Sequence, residues 1–372
     1  MSGLYIHIPF CTQFCAYCDF YSVRSLKPNP RFLQSLKEEM AIRHNYIESP
    51  NTLYIGGGTP SLYKPEQLIG LIEEAKKLWK VDFKEITVEM NPEDVTFDYC
   101  CTLAAGGVNR LSLGIQSFFD EHLLFMNRRH NVKQGIMAVE SARRAGFQNI
   151  SIDLIFGFPG LSQKQWEENI RHVLALAPEH LSAYQLGIDP GSLFYRKMQM
   201  GLLDPVSQEL AADQYALLQK LLLETDLVQY EVSNFARKGY RSIHNSAYWQ
   251  GISYLGLGPS AHSYNGVARH ANMRHLNKYM EGVESLQLAI KEERLTPKKK
   301  YHEFVMTRLR TIEGFSREAL KQQKWPKEIQ RHFEQVADIL LQQGLLKEEQ
   351  GIIKILPEKW FISDRIIREL MM

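Results

Sequence analysis

Three cysteines fall within eight residues in the segment Cys11-Thr-Gln-Phe-Cys15-Ala-Tyr-Cys18. Thiolates are soft ligands that suit zinc or an iron–sulfur cluster. A structural zinc takes four ligands, often as two separated cysteine pairs, and no second pair stands at a suitable distance. A four-iron cluster ordinarily takes four thiolates, so three in one tight loop leave one iron open to an external ligand. Cys100 and Cys101 are adjacent in an apolar helical stretch and read as core packing. Five cysteines, an odd number, fit a disulfide framework poorly.

These residues need elements to hold them. Short apolar runs at Leu4–Ile8, Thr52–Gly56, Glu85–Met90, Arg110–Ile115, Ile150–Phe156 and His180–Leu186 read as strands. Helical patterns lie between them, at Pro65–Trp79, Asn131–Ala145 and Ser162–Leu176, with Gly146 as a helix stop. Strands alternating with helices imply an α/β fold with parallel strands and right-handed crossovers. Periodicity alone does not choose between a partial barrel and an open sheet. In either, sites form at the carboxyl ends of the strands. Cys11 follows the first strand, Gly56–Thr59 the second, Glu89 ends the third and Gln116 follows the fourth.

Residues 188–295 hold a helical pattern at Glu209–Leu223 and an aromatic segment, Tyr230–Tyr264. From Pro297 a Lys-rich junction leads to helical patterns at Tyr301–Thr311 and Ile329–Gln343, then to a hairpin in Gly-Leu-Leu-Lys-Glu-Glu-Gln-Gly-Ile-Ile-Lys-Ile-Leu. The expected division is a core over 1–225, a connecting region over 226–297 and a small helical, winged-helix-like domain over 298–372.

Composition bounds the partners. The 372 residues are 44% hydrophobic and 23% charged, with 44 Lys and Arg against 42 Asp and Glu, a net charge of +2. That balance gives no reason to expect nucleic acid. No apolar run reaches the roughly 18 residues of a membrane span, and the first residues lack the basic start and apolar stretch of a secretory signal. A cytoplasmic location is the expectation.

The cysteine spacing after a first strand resembles the signature of the radical S-adenosylmethionine superfamily. The opening Tyr5-Ile-His-Ile-Pro-Phe-Cys11 narrows the resemblance to the oxygen-independent coproporphyrinogen III oxidase family. Gly56-Gly-Gly-Thr-Pro-Ser61, Glu89-Met-Asn-Pro92, Gly114-Ile-Gln-Ser-Phe118 and Asp153-Leu-Ile-Phe-Gly-Phe-Pro-Gly160 extend it along nearly the whole chain. The resemblance implies a partial (β/α)6 TIM-like barrel. It also implies a 4Fe–4S cluster on Cys11, Cys15 and Cys18, with S-adenosylmethionine at the open iron. Tyr5 would lie near the cluster, and Gly57, Gly58 and Thr59 near the methionine amino end. Glu89 would accept from the ribose hydroxyls, and Gln116, Arg128 and Asp153 would make further contacts. The chemistry agrees: glycine allows close backbone approach, arginine can fork onto a carboxylate, and a buried acid such as Asp153 needs a partner or ligand.

The family holds a porphyrinogen-decarboxylating enzyme and a haem-trafficking chaperone branch. Phe20 stands where the enzymes resemble one another in a further cysteine, and ten residues precede Cys11 where the enzymes carry an extension. His244-Asn-Ser-Ala-Tyr-Trp249 is similar to a motif of the chaperone branch, and the segments Tyr230–Ala236 and Gly256–Tyr264 match that branch too. The resemblance therefore implies haem bound at His244, with Tyr248 and Trp249 offering flat faces. By residue type alone, one histidine among aromatics is more often a hydrogen-bonded structural residue. His262 is a weaker candidate for that ligand, since its Gly/Pro-rich surroundings suggest a structural turn. The expected function is binding haem and passing it to acceptor proteins, such as membrane respiratory enzymes, with a cluster-dependent homodimer as a further implication. The alternatives are oxidative decarboxylation of coproporphyrinogen III, and a cluster-bearing scaffold whose C-terminal domain docks a partner.

Overall fold

The computed structural model describes residues 2–25 and 29–372. Six strands, β1 (Gly3–Ile8), β2 (Thr52–Gly57), β3 (Glu85–Met90), β4 (Arg110–Gln116), β5 (Ile150–Phe156) and β6 (His180–Gln185), lie side by side in chain order. Every neighbouring pair is parallel. The crossovers carry helices Pro30–Arg43, Pro65–Trp79, Phe97–Ala105, Val132–Arg144 and Gln163–Leu176. Local sequence sets their ends. Asn131 with Gln134, and Ser162 with Gln165, form capping boxes, while Gly146 takes a left-handed φ of 94° just past a helix end.

The strands alternate sharply. Leu4, Ile6, Leu53, Ile55, Val88, Leu111, Ile152 and Leu181 are fully buried in the apolar core. The intervening residues form polar rows across the sheet: Tyr5, Tyr54, Thr87 and Arg110 are successive register partners, as are Glu89, Ser112, Ser151 and His180. Parallel strands covered on both faces usually read as continuous apolar runs. Here one face packs on apolar residues while the other carries a hydrogen-bonded polar lining.

Residues 226–297, read from sequence as a connection, extend this sheet at both edges. The strand β7 (Asn234–Ala236) pairs antiparallel with β6. On the other side β8 (Tyr254–Leu257) pairs parallel with β1. An antiparallel meander follows, through β9 (His262–Tyr264), β10 (Ala268–Asn272) and β11 (Ile290–Arg294). Among the described residues the sheet has twelve strands, and its two ends, Val228–Gln229 and β11, do not pair with each other. The barrel is therefore partial.

The C-terminal part packs helices Pro297–Leu309, Lys327–Gln342 and Ser363–Leu370 around a three-stranded sheet of Phe315–Ser316, Ile352–Lys354 and Lys347–Glu349. It joins the barrel at a bridge between Glu231 and Thr311, where Val232 N–H donates to the Arg310 carbonyl at 3.1 Å. Among the described residues no helix is long and apolar enough to cross a membrane.

Candidate functional site

The cysteine loop leaves the carboxyl end of β1. Its start, Phe10–Cys11, pairs with Val23–Arg24. Its middle is pinned by Ala16 N–H on the Met126 carbonyl at 3.0 Å and by Asn127 Nδ2 on the Phe14 carbonyl at 2.7 Å. All three thiols are partly open to solvent. Thr59 Oγ1 donates to Cys11 Sγ at 3.6 Å, and Arg128 Nη1 to Cys15 Sγ at 3.2 Å. Burial pushes the Cys11 thiol up and the Cys18 thiol up to about 12, so both hold protons that metal binding would displace. Among the described residues, no three His, Cys, Asp or Glu side chains converge on a single metal ion. The donor set fits a cluster that gives each thiolate its own iron.

The glycine run is tighter than a ligand-binding turn requires. A Cβ on Gly58 would sit 2.7 Å from the Phe10 carbonyl and 3.0 Å from Cys11 Sγ. At Gly57, with φ 107°, it would meet the His7 ring at 2.4 Å, and at Gly56 the Glu89 carboxyl at 2.7 Å. These glycines are demanded by the cysteine loop and by Glu89 as much as by anything bound.

Glu89 accepts from Tyr54 Oη at 2.7 Å and from Gly57 N–H at 2.9 Å. Burial raises its pKa, with those two bonds opposing. Asp153 accepts from Ser112 Oγ at 3.1 Å and is likewise raised by burial. Arg128 donates to Asn91 Oδ1 and the Gly114 carbonyl, both at 2.8 Å. Gln116 adopts a left-handed φ of 67° where the β4–β5 register shifts, and Tyr5 Oη meets His7 Nδ1 at 3.0 Å. One further residue escaped sequence reading. Arg110, only 1% exposed, carries Nε and Nη1 with no hydrogen-bond partner, and its charge lowers the pKa of both Glu89 and Asp153. The signal was present: by strand alternation Arg110 takes the same face of β4 as Ser112.

His244 lies at the other end of the barrel. The helix Ile243–Trp249 is capped by Ser242, and the Glu85 carboxylate at the start of β3 accepts from Ile243 N–H and His244 N–H at 2.9 and 2.8 Å. The His244 ring packs on Gly3 and is 2% exposed. Its Nδ1 bonds Thr52 Oγ1 and its Nε2 bonds Tyr248 Oη, each at 2.8 Å. Burial pushes its pKa down to about 3. Both ring nitrogens are thus occupied in this arrangement, by Thr52 and Tyr248. Here the ring fastens the helix to β2.

A cavity of about 880 Å³ opens between barrel, meander and C-terminal helices. Tyr5, Glu89, His244, Tyr248 and Trp249 reach it, but the three cysteines, Gln116, Arg128 and Asp153 do not. The structure thus groups Cys11 with Thr59, Cys15 with Arg128 and Gly57 with Glu89, and joins the last group to the aromatic motif through the Tyr54 ring, 5.2 Å from that of His244.

A six-stranded parallel partial barrel with Cys-x3-Cys-x2-Cys beyond its first strand defines a radical S-adenosylmethionine protein. The Radical SAM superfamily model matches residues 5–173 and the HemN C-terminal domain matches 295–361. The fold is shared with coproporphyrinogen III oxidase (HemN) of Escherichia coli, with TM-score 0.82, 23% identity, and coverage of 99% of this chain and 89% of that one. The heme chaperone HemW of Bacillus subtilis is 35% identical over 360 residues, 95% of this chain and 94% of the relative. That of Lactococcus lactis is 33% identical over 353 residues, 94% and 92% of the two. The chain belongs to the HemW family.

Proposed function

We propose that this chain holds a 4Fe–4S cluster on Cys11, Cys15 and Cys18, binds S-adenosylmethionine at it, and carries haem to acceptor haemoproteins. The observation that carries the haem reading is the cavity of about 880 Å³, which is walled by Tyr248, Trp249, Phe304 and Trp325 and also reached by Arg274 and Arg308. Binding pockets for organic ligands run to roughly 300–1,000 Å³ with mostly apolar walls and a few placed polar groups. Flat aromatic faces suit a macrocycle and cations suit its two carboxylates. The HemW relatives support the same reading.

A cluster held by Cys11, Cys15 and Cys18 would supply one-electron reduction chemistry to bound S-adenosylmethionine. The chain's own part is positional. Arg128 sets a cation against Cys15 and offsets thiolate charge. Glu89, held by Tyr54 and Gly57, would accept from the ribose hydroxyls, with Gln116 and Asp153 as further contacts, and the glycine run with Thr59 would hold the methionine end.

A second reading is oxidative decarboxylation of coproporphyrinogen III. It draws on Tyr5 and Glu89 opening into the same cavity as the aromatic motif. The two readings separate in one anaerobic experiment on cluster-reconstituted protein. It is given coproporphyrinogen III, S-adenosylmethionine and reductant, and in parallel its haem-loaded form is mixed with an apo-haemoprotein. The chaperone reading expects haem to move to the acceptor and no decarboxylated porphyrinogen. Turnover without transfer would establish the second reading instead.

A further inference from the structure

Three histidines reach the large cavity: His7, His244 and His262. Two are spent. His7 bonds Tyr5 Oη through Nδ1 at 3.0 Å and the Tyr21 carbonyl through Nε2 at 2.8 Å. His244 bonds Thr52 and Tyr248 through its two nitrogens. His262 is exposed, and its side chain makes no hydrogen bond or ion pair among the described residues.

Its position is built. A Cβ on Gly256 would fall 2.1 Å from the His262 carbonyl, so the Gly256–Ala261 turn closes only because that position is glycine. Within the turn Gly258 and Ser260 take left-handed φ of 96° and 65°. The next residue, Ser263, is 1% exposed, and its Oγ bonds Arg43 Nη2 at 3.1 Å. Strand alternation then sends His262 to the opposite face, toward the cavity. The turn that reads in sequence as merely structural is what places this imidazole.

We propose that His262 is the axial ligand to the iron of a haem bound in this cavity, with His244 acting as a structural post behind it. The assignment rests on the haem reading given above. Neutral imidazole is a common haem ligand, and partial burial together with Arg269 lowers the His262 pKa and favours that neutral form. Arg274, Lys300 and Arg308 also reach the cavity, and none has a carboxylate partner among the described residues. Two carboxylates on the macrocycle edge would supply one.

The test is the visible and electron paramagnetic resonance spectrum of ferric haem on the cluster-reconstituted full chain, for wild type, His262→Ala and His244→Gln. His262 is exposed, so its truncation leaves the core intact. Expected for His262→Ala is a shifted Soret band, loss of the histidine-ligated signal and at least tenfold weaker haem binding, with free imidazole restoring the spectrum. His244→Gln retains the wild-type signal. A wild-type spectrum in His262→Ala, or a signal change that follows His244→Gln instead, overturns the assignment while haem binding stands. Absence of haem binding by the wild type overturns the haem reading itself.

Discussion

Arg110 and His244 show how the barrel interior handles charge. Arg110 is a buried cation with two unpartnered nitrogens, set where its field favours ionised Glu89 and Asp153 against the cost of their burial. Replacing it with methionine keeps bulk and removes that field. Arg110→Met is expected to weaken S-adenosylmethionine binding about tenfold at pH 7, roughly 1.4 kcal/mol, with part of the loss recovered at higher pH as the two carboxyls ionise. Equilibrium binding to reconstituted protein at pH 6.5 and 8.5 checks both. His244 carries the opposite cost. Its folded pKa, about 3, lies below the usual value of 6.5, so the unfolded chain takes up the proton first as pH falls. The stability this group contributes is present above pH 6.5 and is lost below it, by about 2 kcal/mol between pH 7 and 5. The urea midpoint of the wild type should fall more steeply over that range than that of His244→Gln.

The glycine run and the short helix each fix a site to the barrel. Gly58→Ala puts a methyl group against the Phe10 carbonyl and Cys11 Sγ. It should displace the cysteine loop and at least halve the iron and sulfide bound after anaerobic reconstitution, while far-ultraviolet circular dichroism is unchanged. Glu85 receives the first two N–H groups of the helix Ile243–Trp249. Glu85→Ala leaves those donors buried and should cost about 1–3 kcal/mol, read as a lower urea midpoint. The six barrel strands and most of the crossover helices were legible in sequence because each is a local pattern with its own caps. Strands β7 to β11 were not. They are three to five residues long, and two of them are held by partners far away in sequence, β1 and β6. The cysteine loop was legible because chemistry and spacing coincide in one segment. Arg110 was not, because its significance comes from what surrounds it across the sheet. The motif around His244 lies on the wall of the large cavity, and both nitrogens of its imidazole are hydrogen-bonded.

The whole molecule is a partial barrel closed on one side by its C-terminal helices, with the cavity between them. The connection passes through Glu231, 2% exposed, which bridges Thr311 and accepts from Asn234 Nδ2. Burial raises its pKa to about 7, the N–H groups around it opposing. A carboxyl raised in the folded state binds its proton more tightly there than in the unfolded chain, so stability falls as pH rises from the usual carboxyl range to pH 7. The contribution is about 2 kcal/mol greater at pH 5 than at pH 7.5. Glu231→Gln should flatten that part of the pH profile, seen as a midpoint from thermal unfolding that no longer drops toward neutral pH. The two slopes, from His244 and Glu231, oppose each other and are separable only through the variants.

The central claim is that this cavity binds haem. The most direct measurement is an anaerobic haem titration of cluster-reconstituted wild-type protein, following the Soret band together with quenching of the tryptophans Trp249 and Trp325 that wall the cavity. Saturation at one haem per chain, with both signals reaching their end point together, is the predicted result. Absorbance that rises without saturation, or indole emission unchanged while haem binds, would contradict it.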